Sequence, residues 1–268
     1  MDRRGRHARP FQREADSNGP VTAPAPFPCF SLRVSEMPSI IFAGDPHGDH
    51  KPILRACADH PPCLLILLGD LGLEEPLRRV YARPIAGGWK VRYVHGNHDV
   101  ELPRYHDNLM GDAPDWNLSG GFVEAGGLVI GGLGGVFKGS IWYPREAEEA
   151  EATWRTRSEY LKSLRPPERW KRGLPLRQRD TIFPEDAEKV GKLRLDVLVC
   201  HEAPLPHRYG FAALNALAGR TGARLLVHGH HHRTEVYTAS LPCGRTLHVQ
   251  SLGRAQPWIL ETPSINTA

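Results

Sequence analysis

Ser39-Ile40-Ile41-Phe42-Ala43-Gly44-Asp45-Pro46-His47-Gly48-Asp49 is the stretch on which the fold turns. Its first part is a continuous apolar run too short for a helix, as expected of a strand buried on both faces. Its second part is a tight Gly-bearing turn that places metal-binding residue types directly at the strand's end. The arrangement repeats along the chain. Leu64 to Leu68 leads into Gly69 and Asp70, and Val91 to Val94 into Gly96, Asn97, His98 and Asp99. Leu195 to Val199 leads into His201 and Glu202, and Leu225 to Val227 into Gly229, His230, His231 and His232. Between these runs, His50 to Asp59, Glu74 to Ala82 and Phe211 to Arg220 read as covering helices. Strands alternating with helices predict an α/β fold, and in an open α/β sheet ligands gather outside the carboxyl ends of the strands. Five loops are therefore expected to converge on one site. Imidazole, carboxylate and amide donors suit manganese, iron or zinc, and are too rich in nitrogen for a pure calcium or magnesium site.

The rest of the chain reads differently. Gly121 to Gly135 is glycine-rich and apolar, and Thr234 to Tyr237, Thr246 to Gln250 and Trp258 to Glu261 have the look of antiparallel strands, which predicts a second sheet. Residues 145–164 place Ala147, Ala150, Trp154, Leu161 and Leu164 near one helical face, so a helical insert is expected over about 145–190. Residues 1–38 carry Arg3, Arg4, Arg6, Arg9 and Arg13 and then Pro20, Pro24, Pro26 and Pro28 without apolar periodicity, the composition of a disordered tail. Met37, just before the first strand, suggests that the functional polypeptide begins there. Residues 39–262 are expected to form one catalytic domain, with 263–268 a short tail.

Composition bounds the function classes. The chain has 268 residues, 40% of them hydrophobic, which is enough for one core of ordinary size. A net charge of +4 leaves no pervasive basic excess, so any basic surface must come from local clustering, and a nucleic-acid partner stays open. The cysteines Cys29, Cys57, Cys63, Cys200 and Cys243 are scattered and form no CxxC pair, which points to a reducing compartment and a cytoplasmic protein. No apolar run approaches the roughly 20 residues a membrane helix requires.

Taken together, Asp45-x-His47, Gly69-Asp70, Gly96-Asn97-His98-Asp99, a lone His201 and Gly229-His230-x-His232 form five ordered blocks across Asp45 to His232. In this pattern the chain resembles the calcineurin-like metallophosphoesterase superfamily. The resemblance implies a four-layer α/β/β/α sandwich with two mixed sheets and a pair of divalent transition-metal ions, manganese first, iron or zinc next. It implies that Asp45, His47 and His232 hold one ion, that Asn97, His201 and His230 hold the other, and that Asp70 bridges them. It further implies hydrolysis of a phosphate ester, monoester or diester, by attack of a metal-bound hydroxide, with His98 protonating the leaving group and Asp99 orienting His98. At the second block the chain continues Leu71-Gly72-Leu73-Glu74-Glu75, where the protein phosphatases of the superfamily carry an arginine for phosphate. That departure disfavours phosphoprotein or diadenosine-polyphosphate substrates and leaves small phosphate esters, nucleotides or nucleic-acid ends.

Plainer readings compete at several positions. His201 alone would read as a structural histidine, and only the five-block series argues otherwise. His228 and His231 fall outside the family register and are expected to be spectators, as are His7, His50, His60, His95, His106, His207 and His248. Asp49 and Glu202 could orient neighbouring imidazoles or simply face solvent. The basic stretch Arg165 to Arg179 around Trp170 reads better as a solvated loop than as a phosphate-tracking surface, and Gly131 to Gly135 lacks the lysine of a phosphate cradle. Cys200 raises a cysteine-dependent phosphatase, but the prolines at 204 and 206 make a poor phosphate loop. Arg104, Lys138, Arg145 and Arg208 are candidate phosphate contacts. A non-catalytic, metal-binding scaffold of the same fold is the alternative to an enzyme.

Overall fold

The computed structural model describes residues 39–148 and 150–261. The expected tails at 1–38 and 263–268 lie outside the described residues. Among the described residues, ten strands form two mixed sheets. Strands β1 (Ser39–Ala43), β2 (Leu64–Leu67) and β3 (Lys90–Tyr93) run parallel, and β10 (Pro257–Glu261) pairs antiparallel with β1 at the edge. The second sheet has the order β4 (Phe122–Ala125), β5 (Leu128–Leu133), β6 (Val197–Cys200), β7 (Leu225–His228), β9 (Thr246–Ser251) and β8 (Glu235–Ser240). Its middle four strands are parallel and its two edges antiparallel.

Alternation along each strand builds the layers. Ile40 and Phe42, Leu64 and Ile66, Val197 and Val199, and Val227 meet in one cluster between the sheets. Their neighbours Ile41, Ala43, Leu65 and Leu67 point the other way, onto α1 (Lys51–Asp59), α2 (Leu77–Val80) and α3 (Ala82–Ala86). On the far side, Leu198, Cys200, Leu226 and Val249 pack with Phe183 of the lead-in to α6 (Pro184–Val190) and with Leu214 and Leu217 of α7 (Ala212–Thr221). Two short helices, α4 (Pro103–His106) and α5 (Arg157–Ser163), lie in the connections. Three apolar layers thus separate four layers of secondary structure, the α/β/β/α sandwich. A strand with both faces buried needs no polar alternation, which is why these runs read as continuously apolar.

Three expectations shift. The strand Trp258–Glu261, expected with the second sheet, lies on the first, where Trp258 packs its ring 5.5 Å from Phe42. The helix expected over Glu74 to Ala82 is two short pieces. Pro76, itself extended at ψ 137°, stops the helix from beginning before Leu77, and fully buried Tyr81 sits at the junction. The expected helical insert is mostly irregular. Residues 145–156 contain no described helix, because Ala152 and Trp154, partly buried, pack against the core and the Trp142 indole donates to Ala150 O at 3.0 Å. Helix α5 starts only where Thr156 and Glu159 form a capping box.

Candidate metal centre

The carboxyl ends of β1, β2 and β3 in one sheet and of β6 and β7 in the other meet at one edge of the sandwich. Three of these five loops, those after β1, β2 and β7, leave their strands through an unusual backbone turn. Asp45 (φ 53°), His47 (φ 44°), Asp70 (φ 55°), His230 (φ 72°) and His232 (φ 55°) all occupy the left-handed region. Non-glycine residues visit it at a cost, and a cluster of them marks a place where geometry has been kept for function. The close approach of the loops depends on glycine. A Cβ on Gly96 would fall on Asp70 Oδ1, and a Cβ on Gly229 on Asp45 Oδ2.

The side chains so aimed converge. Asp45, His47 and His232 bring one donor atom each within 4.8 Å of one another, and Asp70, His201 and His230 do the same. In the first group, His47 Nε2 faces His232 Nε2 at 3.0 Å and His232 Nε2 lies 3.5 Å from Asp45 Oδ1. In the second, His201 Nε2 lies 3.2 Å from Asn97 Oδ1 and 3.3 Å from Asp70 Oδ2. Asp70 Oδ2 also lies 3.9 Å from His47 Nε2, so this carboxylate stands between the two groups. The donor set fits two divalent cations: imidazole lone pairs turned toward each other and buried carboxylates are arranged for a positive charge among them.

The electrostatics of the converging side chains carry the same message. Burial pushes the Asp45 carboxyl up to about 6, against the pull of His201. Burial would lower His201, but Asp70 and Asp45 beside it raise it to about 10, so a proton there supplies the positive charge the carboxylates demand. His230 is driven down to about 3, by burial first and then by the His201 charge, and is a neutral donor at ordinary pH. The imidazole of His201 is held by Nδ1 against Leu68 O at 2.7 Å, which leaves Nε2 to face the site.

His98 stands at the rim, its backbone N–H donating to Asp70 Oδ1 at 2.8 Å and its ring 5.2 Å from that of His47. The carboxylate beside its Nδ1 is Glu101 Oε2, at 3.0 Å. Burial tends to lower His98, but the Glu101 hydrogen bond and the Asp70 charge raise it above its ordinary value. Asp99, expected to orient His98, instead points inward and accepts backbone N–H bonds from Asp70, Leu71 and Gly96 at 2.8–2.9 Å. It ties the second and third loops together. Asp99 sits one residue along a 3-10 turn from His98 and so leaves on a different face, whereas three residues along, Glu101 returns to the same one. The signal that could have found Glu101 is that three-residue spacing.

The other residues singled out divide clearly. His228 is fully buried against Tyr237 Oη at 3.0 Å and Gly229 O at 2.9 Å, and His95 is buried and belongs to neither donor group. His231 joins Glu202 and His230 in a further donor group at the edge of the site. Glu202 is buried, accepts from Phe137 N at 3.3 Å and faces His230 Nε2 at 4.0 Å, while Asp49 accepts from the Lys51 backbone N–H in the first turn of α1. Cys200 lies in the core with its thiol pushed up by burial, which removes it as a nucleophile. Arg104 pairs with Glu74, Arg145 donates to Arg208 O, and Lys138 pairs with Asp180 at 2.6 Å. The basic stretch is similarly committed: Lys171 and Arg179 lie over Trp170, Lys171 pairs with Asp107, and Arg169 donates to Leu161 O and Leu164 O. Arg254 was not anticipated. It pairs with Gly44 beside the first donor group, and its charge adds to the burial that lowers His47.

Among the described residues no helix is long and apolar enough to cross a membrane. In comparisons with known proteins, an uncharacterized protein of Haemophilus influenzae is 37% identical over 208 residues, which cover 76% of this chain and 87% of that protein. Two solved structures have similar backbones at 14% identity. Phosphopantetheinyl hydrolase of Mycobacterium tuberculosis matches with a TM-score of 0.49, over 87% of this chain and 99% of that one. The protein TT1561 of Thermus thermophilus matches with a TM-score of 0.47, over 85% of this chain and 100% of that one. Residues 38–234 match the profile described as calcineurin-like phosphoesterase, a span that takes in every donor-bearing strand end, and the chain belongs to that family.

Proposed function

We propose that the protein is a two-metal phosphoesterase that hydrolyses a small-molecule phosphomonoester or phosphodiester. The observation that carries this reading is the place of Asp70 between two donor groups, 3.9 Å from His47 Nε2 and 3.3 Å from His201 Nε2. In this reading Asp45, His47 and His232 hold one ion, Asn97, His201 and His230 hold the other, and Asp70 is shared. Bound there, two divalent cations supply Lewis acidity to phosphoryl oxygens and acidify a coordinated water. The mixed nitrogen and oxygen donors favour manganese, iron or zinc.

The chain's own residues do the remainder. Asp45 and Asp70 give two negative charges against two divalent ions, so the loaded site stays net positive and draws the phosphate in. Glu101 accepts from His98 Nδ1 and thereby turns Nε2 outward, where its proton can pass to the departing oxygen. Asp99 keeps the Asp70 and Gly96 loops in register. The test uses purified protein stripped with chelator, then reloaded with manganese, and assayed on paired chromogenic phosphomonoester and phosphodiester substrates. Activity that returns only with metal is the expected outcome. In Asp70→Asn, metal content per chain should fall in both positions, and full occupancy of that variant would remove the shared role. A protein that binds no metal at all would overturn the reading.

A further inference from the structure

Beside the second donor group lies a third cluster of ligating residues that the two-metal reading does not use as a unit: Glu202, His230 and His231, with one donor atom from each within 4.8 Å of the others. Two loops supply it. Glu202 follows β6, and His230 and His231 follow β7. Glu202 is only 5% exposed. Its Oε1 accepts from Phe137 N at 3.3 Å, while its Oε2 faces His230 Nε2 at 4.0 Å, beyond hydrogen-bond reach. Among the described residues no lysine or arginine pairs with it, and a buried carboxylate without a cation is costly. His231, expected to take no metal role, carries the matching feature. Its Nε2 is buried without a hydrogen-bond partner, on a ring fixed by stacking on His207 at 4.1 Å and lying near-parallel to Tyr209 at 5.6 Å. A carboxylate short of positive charge and an imidazole nitrogen short of a partner are two separate demands, and one cation between them meets both.

The donor set names the ion. Two imidazoles and one carboxylate, with a fourth position open, are a zinc set. All three residues line a cavity of about 600 Å³, so an ion reaches them from solvent. Zinc bonds of about 2.0–2.2 Å place ligand atoms roughly 3–3.5 Å apart. The first donor group already has that spacing, at 3.0 and 3.5 Å, whereas the 4.0 Å between Glu202 and His230 must close before an ion is held. The cluster is therefore the weaker binder. We propose that Glu202, His230 and His231 form a third, lower-affinity zinc position, and that its occupation inhibits the protein because His230 is drawn from the donor group it shares with Asp70 and His201. The zinc position stands on its own geometry; its inhibitory role rests on the phosphoesterase reading given above.

The test titrates chelator-stripped full-length protein with zinc by calorimetry and equilibrium dialysis, and follows hydrolysis of chromogenic phosphomonoester and phosphodiester substrates as zinc passes two ions per chain. The wild type should bind two ions tightly and a third at least about tenfold more weakly, with turnover falling as the third binds. Glu202→Gln and His231→Asn should each lose the third ion and the inhibition while keeping the first two. The glutamine can still accept from Phe137 N, and urea midpoints identify a variant that has not folded, in which case the other decides. Two ions only in the wild type, or three in a folded variant, overturns the zinc position and leaves the phosphoesterase reading standing. A third ion that binds without slowing turnover overturns its inhibitory role. If neither ester is cleaved by the metal-loaded protein but the third ion is still lost in the variants, the phosphoesterase reading falls and the zinc position stands.

Discussion

Gly96 and His98 sit two residues apart and have opposite duties. The space beside Gly96 is taken by Asp70 Oδ1 and the His201 ring, so Gly96→Ala must push the shared carboxylate out of line. The expected result is lost metal binding together with a loss of stability of about 1–3 kcal/mol, read by metal analysis and by urea unfolding of the stripped protein. In the proposed mechanism His98 reaches the reacting group, and it belongs to neither donor group. His98→Ala should therefore keep near-normal metal content while turnover falls by about 10²–10⁴-fold. Glu101→Gln should give a smaller loss and move the alkaline limb of the pH–rate profile downward, since Glu101 raises the His98 pKa. An unchanged profile in Glu101→Gln would remove its orienting role, and unchanged turnover in His98→Ala would remove the acid.

Strands do two jobs in this protein, and they are separable. The alternating side chains of β1, β2, β6 and β7 glue the sheets together, while the strand ends aim the donors. Phe42 illustrates the first job: it is fully buried between the sheets against Trp258, one residue from the strand's end. Phe42→Ala should cost about 3–5 kcal/mol of unfolding free energy, by lost burial and the cavity left behind. Val236 on the edge strand β8 is 75% exposed, and Val236→Ala should change stability by less than about 0.5 kcal/mol. Denaturant midpoints of metal-stripped protein would check both values. Similar costs at the two sites would contradict the layer assignment.

At the scale of the whole molecule, neutral histidines buried away from water make the fold sensitive to acid. His50, at the start of α1, is held against Tyr81 Oη at 2.9 Å, and burial lowers its pKa to about 4 from an ordinary 6.5. His95 is lowered to about 3 and His228 to about 4 for the same first reason. A folded pKa below the unfolded one means that the unfolded chain takes up the proton first as pH falls. Stability present at neutral pH is thus lost between about pH 6.5 and 4. His50→Gln, which can keep the tyrosine contact, should flatten the fall by about 1.4 kcal/mol per pH unit within that window. The check is the slope of unfolding free energy against pH for the two stripped proteins, and equal slopes would show that His50 does not titrate on unfolding.

The sequence by itself determined the five donor-bearing strands, the loops that follow them and the family, because each is a local signal: an apolar run of strand length followed by a metal-binding residue type. It could not say that Trp258 belongs on the first sheet, since pairing across more than 200 residues leaves no local mark. Nor could it place Ala152 and Trp154 against the core rather than on a helix, because helical spacing is only a propensity that tertiary packing overrides. Tertiary structure alone brought Asp70 between the two donor groups, turned Asp99 inward, gave Glu101 to His98 and set Tyr143 and Tyr209 around one cavity. Local chemistry decides what a residue can do; which partner it meets depends on side-chain direction and on loops that close only when both sheets are packed.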